Sequence, residues 1–279
     1  MTSTKPVKTT NVFELIGEAK KRLKEVKHKI MVLSGKGGVG KTFVSSMLAL
    51  ALAELGYNVG IFDADIHGSS IPVIYGMYNA RLYASDEGII PATGPLNVKV
   101  VATNLLLEAP ETPVVWRGPL KSRAIIELLA NISWGKLDFL VIDMPPGTGD
   151  EAITIAQVIT DISGAIIVTA PSILSEKIVA KAINFVLSNR IPLLGIVENM
   201  SYFKCPNCKT TYTLLGKSTG EELAKKYNTR LLAKIPLDPY IGVSIDRGIP
   251  YLLAYPDTET AKILKELASQ IASLVEKKT

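Results

Sequence analysis

The stretch that most constrains the fold is a glycine-rich run, Gly35-Lys36-Gly37-Gly38-Val39-Gly40-Lys41-Thr42. It follows a short apolar run over residues 30–33 and opens a helical pattern over residues 44–55. A strand that empties into such a loop and re-emerges as a helix lets backbone N–H groups converge on phosphate oxygens at the positive end of the helix. The glycines let the backbone turn tightly and approach a ligand closely. On this reading Gly35, Lys36, Gly37, Gly38, Val39 and Gly40 cradle phosphates, Lys41 bridges the β- and γ-phosphates, and the Thr42 hydroxyl ligates Mg²⁺.

Downstream, short apolar runs at 59–62, 98–102, 139–142, 165–169, 194–197 and 231–235 read as buried strands. Helical patterns at 120–131, 151–159, 174–189 and 221–227 are interleaved with them. Such alternation predicts an α/β fold, a mainly parallel sheet with helices on both faces. No linker long enough to divide this body is present, so residues 29–279 are expected to form one P-loop ATPase domain. Residues 261–275 carry a last apolar stripe (Ile263, Leu264, Leu267, Ile271, Leu274, Val275) that closes the core or, alternatively, anchors the chain to a membrane.

Residues 1–28 differ in character. After a polar stretch of ten residues, Asn11 and Glu14 fit a capping box, and Val12, Leu15, Ile16, Ala19, Leu23 and Val26 recur at helical spacing. The opposite face is basic. Residues 1–30 hold eight Lys or Arg and three Glu, which accounts for the whole formal net charge of +5, and the remainder is balanced. A broad electropositive groove for nucleic acid is therefore not expected. The helix reads either as a docked surface helix or as an attachment element. No apolar run approaches the ~18 residues of a membrane span. The first residues also lack a secretory signal, which points to the cytoplasm.

Two aspartates end strands: Asp63, in Asp63-Ala64-Asp65, and Asp143, which leads into Met144-Pro145-Pro146-Gly147-Thr148-Gly149-Asp150. The chain's two cysteines form Cys205-Pro206-Asn207-Cys208. Alone, that pair fits a redox couple, half of a metal site, or two incidental thiols. Metal sites ordinarily take four protein ligands, and a two-fold dimer would bring four sulfurs to one shared site. Such a tetrathiolate suits an iron–sulfur cluster, of the 4Fe–4S type, or zinc.

The early lysine of the loop, Lys36, makes it resemble the deviant Walker A of the MinD, ParA and nitrogenase-iron-protein class. The resemblance implies that Lys36 crosses a dimer interface to the nucleotide of the other subunit. It implies that Asp65 orients the attacking water, Asp63 supports the metal and loop, and Asp143 holds Mg²⁺ through water. Gly147 would sense the γ-phosphate through its N–H, Asn199 would hydrogen-bond adenine, and Pro236 would flank the base. With Asp63–Pro72, Trp116-Arg117-Gly118-Pro119, Asp143–Asp150 and Glu198–Cys208 added, the chain over roughly residues 28–276 resembles the Mrp/ApbC family. His67-Gly68-Ser69-Ser70 departs from the Gly-Pro-Ser usual after the first switch.

That resemblance implies a slow ATPase, a homodimer holding a labile cluster on Cys205 and Cys208, and delivery to apo iron–sulfur proteins. Stable binding to membranes or nucleic acid is not expected. A spatial-organising ATPase of the MinD or ParA kind and a zinc-bridged ATPase dimer are the alternatives.

Overall fold

Along residues 26–34 every side chain except Lys27 is buried, which marks a strand covered on both faces. The computed structural model describes residues 11–65, 68–86, 88–106, 118–172 and 175–277. In chain order these hold α1 (Val12–Leu23), β1 (Val26–Ser34), α2 (Lys41–Glu54), β2 (Val59–Asp63), α3 (Ile71–Ile74), β3 (Tyr83–Ser85), β4 (Gly88–Ile90), β5 (Ala92–Thr93) and β6 (Lys99–Ala102). There follow α4 (Gly118–Asn131), β7 (Leu137–Asp143), α5 (Asp150–Val158), β8 (Gly164–Thr169), α6 (Ser175–Ser188) and β9 (Leu193–Glu198). The last are β10 (Phe203–Lys204), β11 (Thr211–Tyr212), α7 (Gly220–Lys226), β12 (Leu231–Lys234), α8 (Pro239–Asp246), α9 (Tyr251–Ala254) and α10 (Glu259–Glu276).

Eight strands make one sheet in the order β12-β9-β8-β1-β7-β2-β6-β5. Its pairings are parallel except at the β5 edge. The strand period of two splits the core between the faces. Ile30 and Val32 of β1 join Phe139 and Val141 of β7 under α2, α3, α8, α9 and α10. Met31 and Leu33 join Leu140 and Ile142 under α1, α4, α5, α6 and α7. All seven expected strands are present, and the expected doubly covered parallel sheet is the observed architecture.

One detail differs from expectation, and two readings left open are decided. Val26, assigned to the N-terminal helix, is the first residue of β1 and pairs with Leu137, because the helix stops at Leu23. The helix is docked: Ala19 and Leu23 are buried against the α4 layer, with Asn11 accepting from the N–H of Phe13 as N-cap. The α10 stripe lies against α2, with Leu264, Leu267, Ile271 and Val275 buried, which leaves no apolar face of α10 for a membrane. Among the described residues no helix is long and apolar enough to cross a membrane. The expected polar tail at residues 1–10, His67, Trp116, Arg117 and the first residue of the 174–189 helix lie outside the described residues.

Candidate nucleotide site and cysteine hairpin

Parallel pairing places the carboxyl ends of β1, β2 and β7 side by side, so the polar residues that terminate those strands meet in one crevice. The loop after β1 and the start of α2 line a cleft of about 340 Å³, together with Asp65, Ser70, Val73, Pro146 and Ile245. Lys36, Gly37, Gly38, Val39, Gly40, Lys41 and Thr42 all line it. Gly40 is the N-cap of α2 in the left-handed region, and the α2 helix behind it is buried along most of its length.

Asp143, fully buried at the end of β7, is the centre of the polar cluster. Lys41 Nζ lies 2.6 Å from its Oδ1, and the Thr42 hydroxyl donates to its Oδ2 at 2.7 Å. Ser45, one turn further along α2, donates to Oδ1 at 2.6 Å. Asp63 sits beside Asp143 across the β2–β7 pair. Its Oδ2 accepts from the Ser69 hydroxyl (2.9 Å), Ser70 N (3.0 Å) and Ile71 N (3.3 Å), and its Oδ1 accepts from Asp65 N (3.1 Å). Burial and the neighbouring Asp143 push the Asp63 carboxyl up to about 7, opposed by Lys41 and those donors. Once Asp63 gives up its proton, two buried carboxylates stand against one ammonium, a net negative charge surrounded by hydroxyl oxygens. That donor set suits a hard divalent cation such as Mg²⁺, with the Lys41 ammonium as the cation now beside Asp143.

Asp65 accepts from Gly68 N at 3.1 Å and faces the cleft, as does half-buried Lys36. Gly147, expected to address the γ-phosphate, donates its N–H to the Ser34 carbonyl at 3.2 Å. Asn199 follows β9 and is nearly buried. Its Nδ2 donates to the Val39 carbonyl at 2.9 Å, while its Oδ1 is buried without a protein partner. The residue expected to read adenine therefore also braces the phosphate loop from beneath. Pro236 is not on the phosphate cleft. It is buried and lines a second cavity of about 390 Å³ with Tyr202, Phe203, Pro206 and Tyr240. Ser45, Ser69 and Asn104, whose side chain accepts from the Ser69 hydroxyl and donates to the Ser69 carbonyl, belong to the site and were given no role from sequence.

Cys205 and Cys208 occupy the turn of the small antiparallel hairpin β10–β11. Cys205 N donates to Thr210 O, and Lys209 N to Cys205 O, so the turn is closed by backbone bonds. Both thiols are free, Cys205 half-buried and Cys208 exposed. Cys208 Sγ lies 3.3 Å from Thr210 Oγ1, and this hydrogen bond, with backbone Thr210 and Cys205 behind it, pushes the thiol down to about 7. Among the described residues no group of three or more His, Cys, Asp or Glu is placed to hold a metal ion within one chain.

An iron-sulfur cluster carrier protein of Saccharolobus solfataricus is 47% identical over 255 residues, covering 91% of this chain and 86% of that protein. A cytosolic Fe-S cluster assembly factor NUBP2 homolog of Dictyostelium discoideum is 41% identical, covering 86% and 92%. Among solved structures, a nucleotide-binding protein in complex with ADP from Archaeoglobus fulgidus superposes with a TM-score of 0.74 at 39% identity, covering 84% of this chain and 92% of that one. The cell division ATPase MinD of Pyrococcus furiosus shares the fold, with a TM-score of 0.65 at 24% identity over 88% of this chain and 99% of that one. The family model described as ParA, NUBPL iron-transfer P-loop NTPase, matches residues 25–272. With its phosphate loop, strand-end aspartates and cysteine hairpin all inside that span, the chain belongs to the iron-transfer P-loop NTPase family.

Proposed function

We propose that this protein is a nucleotide-gated iron–sulfur cluster carrier. It binds ATP in the cleft, hydrolyses it slowly, and holds a labile cluster on Cys205 and Cys208 of two copies for transfer to apo-proteins. The observation that carries the reading is the hairpin itself. It presents two unpaired thiols, one acidified toward neutral pH, on the same chain as a buried Lys41–Thr42–Asp143 cluster. One chain supplies two thiolates, and a homodimeric two-fold axis doubles them to the four that a 4Fe–4S cluster requires. The cargo is in keeping with the iron-sulfur cluster carrier of Saccharolobus solfataricus and the Fe-S cluster assembly factor homolog of Dictyostelium discoideum. The cytoplasm is the proposed location, in keeping with the cytosolic relative.

The chemistry assigned to each residue follows from its place. Lys41 exchanges Asp143 for the β- and γ-phosphate oxygens, a short movement for a flexible ammonium. Thr42, with Asp143 and Asp63 behind it, is positioned to hold Mg²⁺, which when bound neutralises charge on the transferring phosphoryl group. Asp65 accepts a hydrogen bond from the attacking water and aligns it with the γ-phosphorus. Lys36 reaches the nucleotide of the facing subunit. The γ-phosphate competes with the Ser34 carbonyl for the Gly147 N–H, so cleavage of the γ-phosphoryl bond frees the segment after Asp143 to shift. Asn199 hydrogen-bonds adenine through its unpartnered Oδ1, and Pro236, at the second cavity, flanks the base. That shift changes the spacing of the two hairpins, and with it the grip on the cluster.

The test is anaerobic loading of purified protein with iron and sulfide, followed by absorbance and by metal and sulfide counts. Cluster absorbance in the wild type, lost in Cys205→Ala/Cys208→Ala, is the expected result. No absorbance, unchanged loading in the double variant, or zinc without sulfide would refute the cargo.

A further inference from the structure

Glu198, the last residue of β9, is 0% exposed. Its Oε1 accepts the backbone N–H groups of Thr219 and Gly220, each at 2.8 Å. Its Oε2 accepts the Ser218 hydroxyl at 2.7 Å and the Ser201 hydroxyl as well. The four donors come from the two ends of one excursion of the chain, just after β9 and at the start of α7. Everything between them is the segment that carries Cys205 and Cys208. One carboxylate therefore closes the base of the cysteine loop.

A buried carboxylate is a costly way to fasten a loop. Replacing a satisfied buried charge by apolar packing is often neutral or stabilising, whereas removing one partner of the set is strongly destabilising. What four charge-assisted bonds do provide is geometry, since each fixes the direction as well as the distance of its donor. The segment's entry is also held by the backbone bonds Ser201 N to Ile235 O and Leu237 N to Tyr202 O, whereas the side-chain tie nearer the thiols, Lys204 Nζ to Glu259 Oε2 at 2.9 Å, is about half exposed and correspondingly weak. The residue after Glu198 is Asn199, whose Nδ2 holds the Val39 carbonyl of the phosphate loop. Two consecutive side chains at one strand end thus grip the nucleotide loop and the cysteine loop.

We propose that Glu198 is the positioning residue of the cysteine pair, holding together at the end of β9 the two ends of the loop that carries it. The consequence for metal binding rests on the carrier reading above; the placement of the hairpin does not.

Two variants separate this role from a general contribution to folding. In Glu198→Gln, Oε1 still accepts both backbone N–H groups, and the two hydroxyls rotate to accept from the new amide. In Glu198→Ala all four donors lose their acceptor. On the full chain without metal, hydrogen–deuterium exchange of residues 203–212 should rise about tenfold in Glu198→Ala and stay near wild type in Glu198→Gln. Co²⁺, titrated anaerobically and read by its thiolate charge-transfer absorbance, should bind about tenfold more weakly to Glu198→Ala and near normally to Glu198→Gln. ADP affinity should stay within about twofold in both. Wild-type exchange and wild-type Co²⁺ binding in Glu198→Ala would overturn the proposal. If Glu198→Ala fails to melt cooperatively, Ser201→Ala/Ser218→Ala removes half the ties, and unchanged hairpin exchange in that variant overturns it equally. If wild-type Co²⁺ absorbance matches that of Cys205→Ser/Cys208→Ser, the carrier reading fails, while the exchange arm still decides the role of Glu198.

Discussion

Gly40 stands where two demands coincide, and Gly40→Ala measures both. Its φ is +78°, and a Cβ built there would lie 2.2 Å from Asn199 Nδ2. The left-handed backbone costs an alanine about 1–2 kcal/mol. The clash is not relieved cheaply, because Asn199 is 3% exposed and its amide is committed to the Val39 carbonyl. Displacing it strands that buried carbonyl, which adds about 1–3 kcal/mol. Gly40→Ala should therefore destabilise the fold by about 3 kcal/mol, and Asn199→Ala by about 2 kcal/mol through the same lost bond. In the double variant the bond is lost once, so the cost should fall short of the sum of the singles by about 1–3 kcal/mol. Urea unfolding of all four proteins without nucleotide, followed by far-UV circular dichroism, gives the cycle. Additivity within about 0.3 kcal/mol would refute the brace between β9 and the phosphate loop.

Other outcomes follow from the same geometry. The Asp63 carboxyl lies near 7 in the folded protein against an ordinary 3.8, so between those values the folded chain holds a proton that the unfolded chain has released. Stability should therefore fall as pH rises from about 4 to about 7 and level off above, and the urea midpoint of Asp63→Asn should fall less over that window. Lys36→Ala should retain nucleotide affinity while turnover falls about a hundredfold, and normal turnover would refute its assignment to the facing site. Asp65→Asn should likewise bind ATP measurably and hydrolyse it about a hundredfold more slowly in a phosphate-release assay. Alkylation of Cys208 by iodoacetamide in the metal-free wild-type protein, followed at that residue by peptide mass spectrometry, should have its midpoint near pH 7, and Thr210→Val should move it upward, because the Thr210 hydroxyl is the leading cause of the acidification.

Most of the sheet was legible because its strands are buried on both sides and read as unbroken apolar runs. Phe139 through Ile142 and Ala165 through Thr169 need no partner to be recognised. What escaped was short or locally atypical. Lys29 interrupts the apolar signal of β1 although it is buried, its Nζ bonded to the Val26 carbonyl, and so the strand seemed to begin later. The eight-residue α8 has only Ser244 buried, so it lacks a periodic stripe. Its start was nevertheless written in Asp238-Pro239, an N-cap accepting from Tyr240 N followed by proline in the first turn. The strands β10 and β11 are two residues each, below the length at which any alternation can be seen.

At the site the dividing line is distance along the chain. The glycine loop, Lys41 and Thr42 were readable because a phosphate cradle is built from consecutive residues whose backbone does the binding. Ser45 was not, although it lies four residues beyond Lys41 on the same helical face, because what makes it functional is Asp143, 98 positions away. Glu198 carries the point furthest. In the sequence it is one acidic residue at a strand end, indistinguishable from a solvated turn. Its weight comes from Ser218, Thr219 and Gly220, which are 20–22 residues on and converge only after β9 and α7 have packed. A residue whose function is to hold two distant pieces of chain together has no local signature, since the same side chain without those partners would be driven to the surface by the cost of burying its charge. The complete burial of Glu198 is thus the structural sign of its role, and the cysteine loop is the segment that role serves.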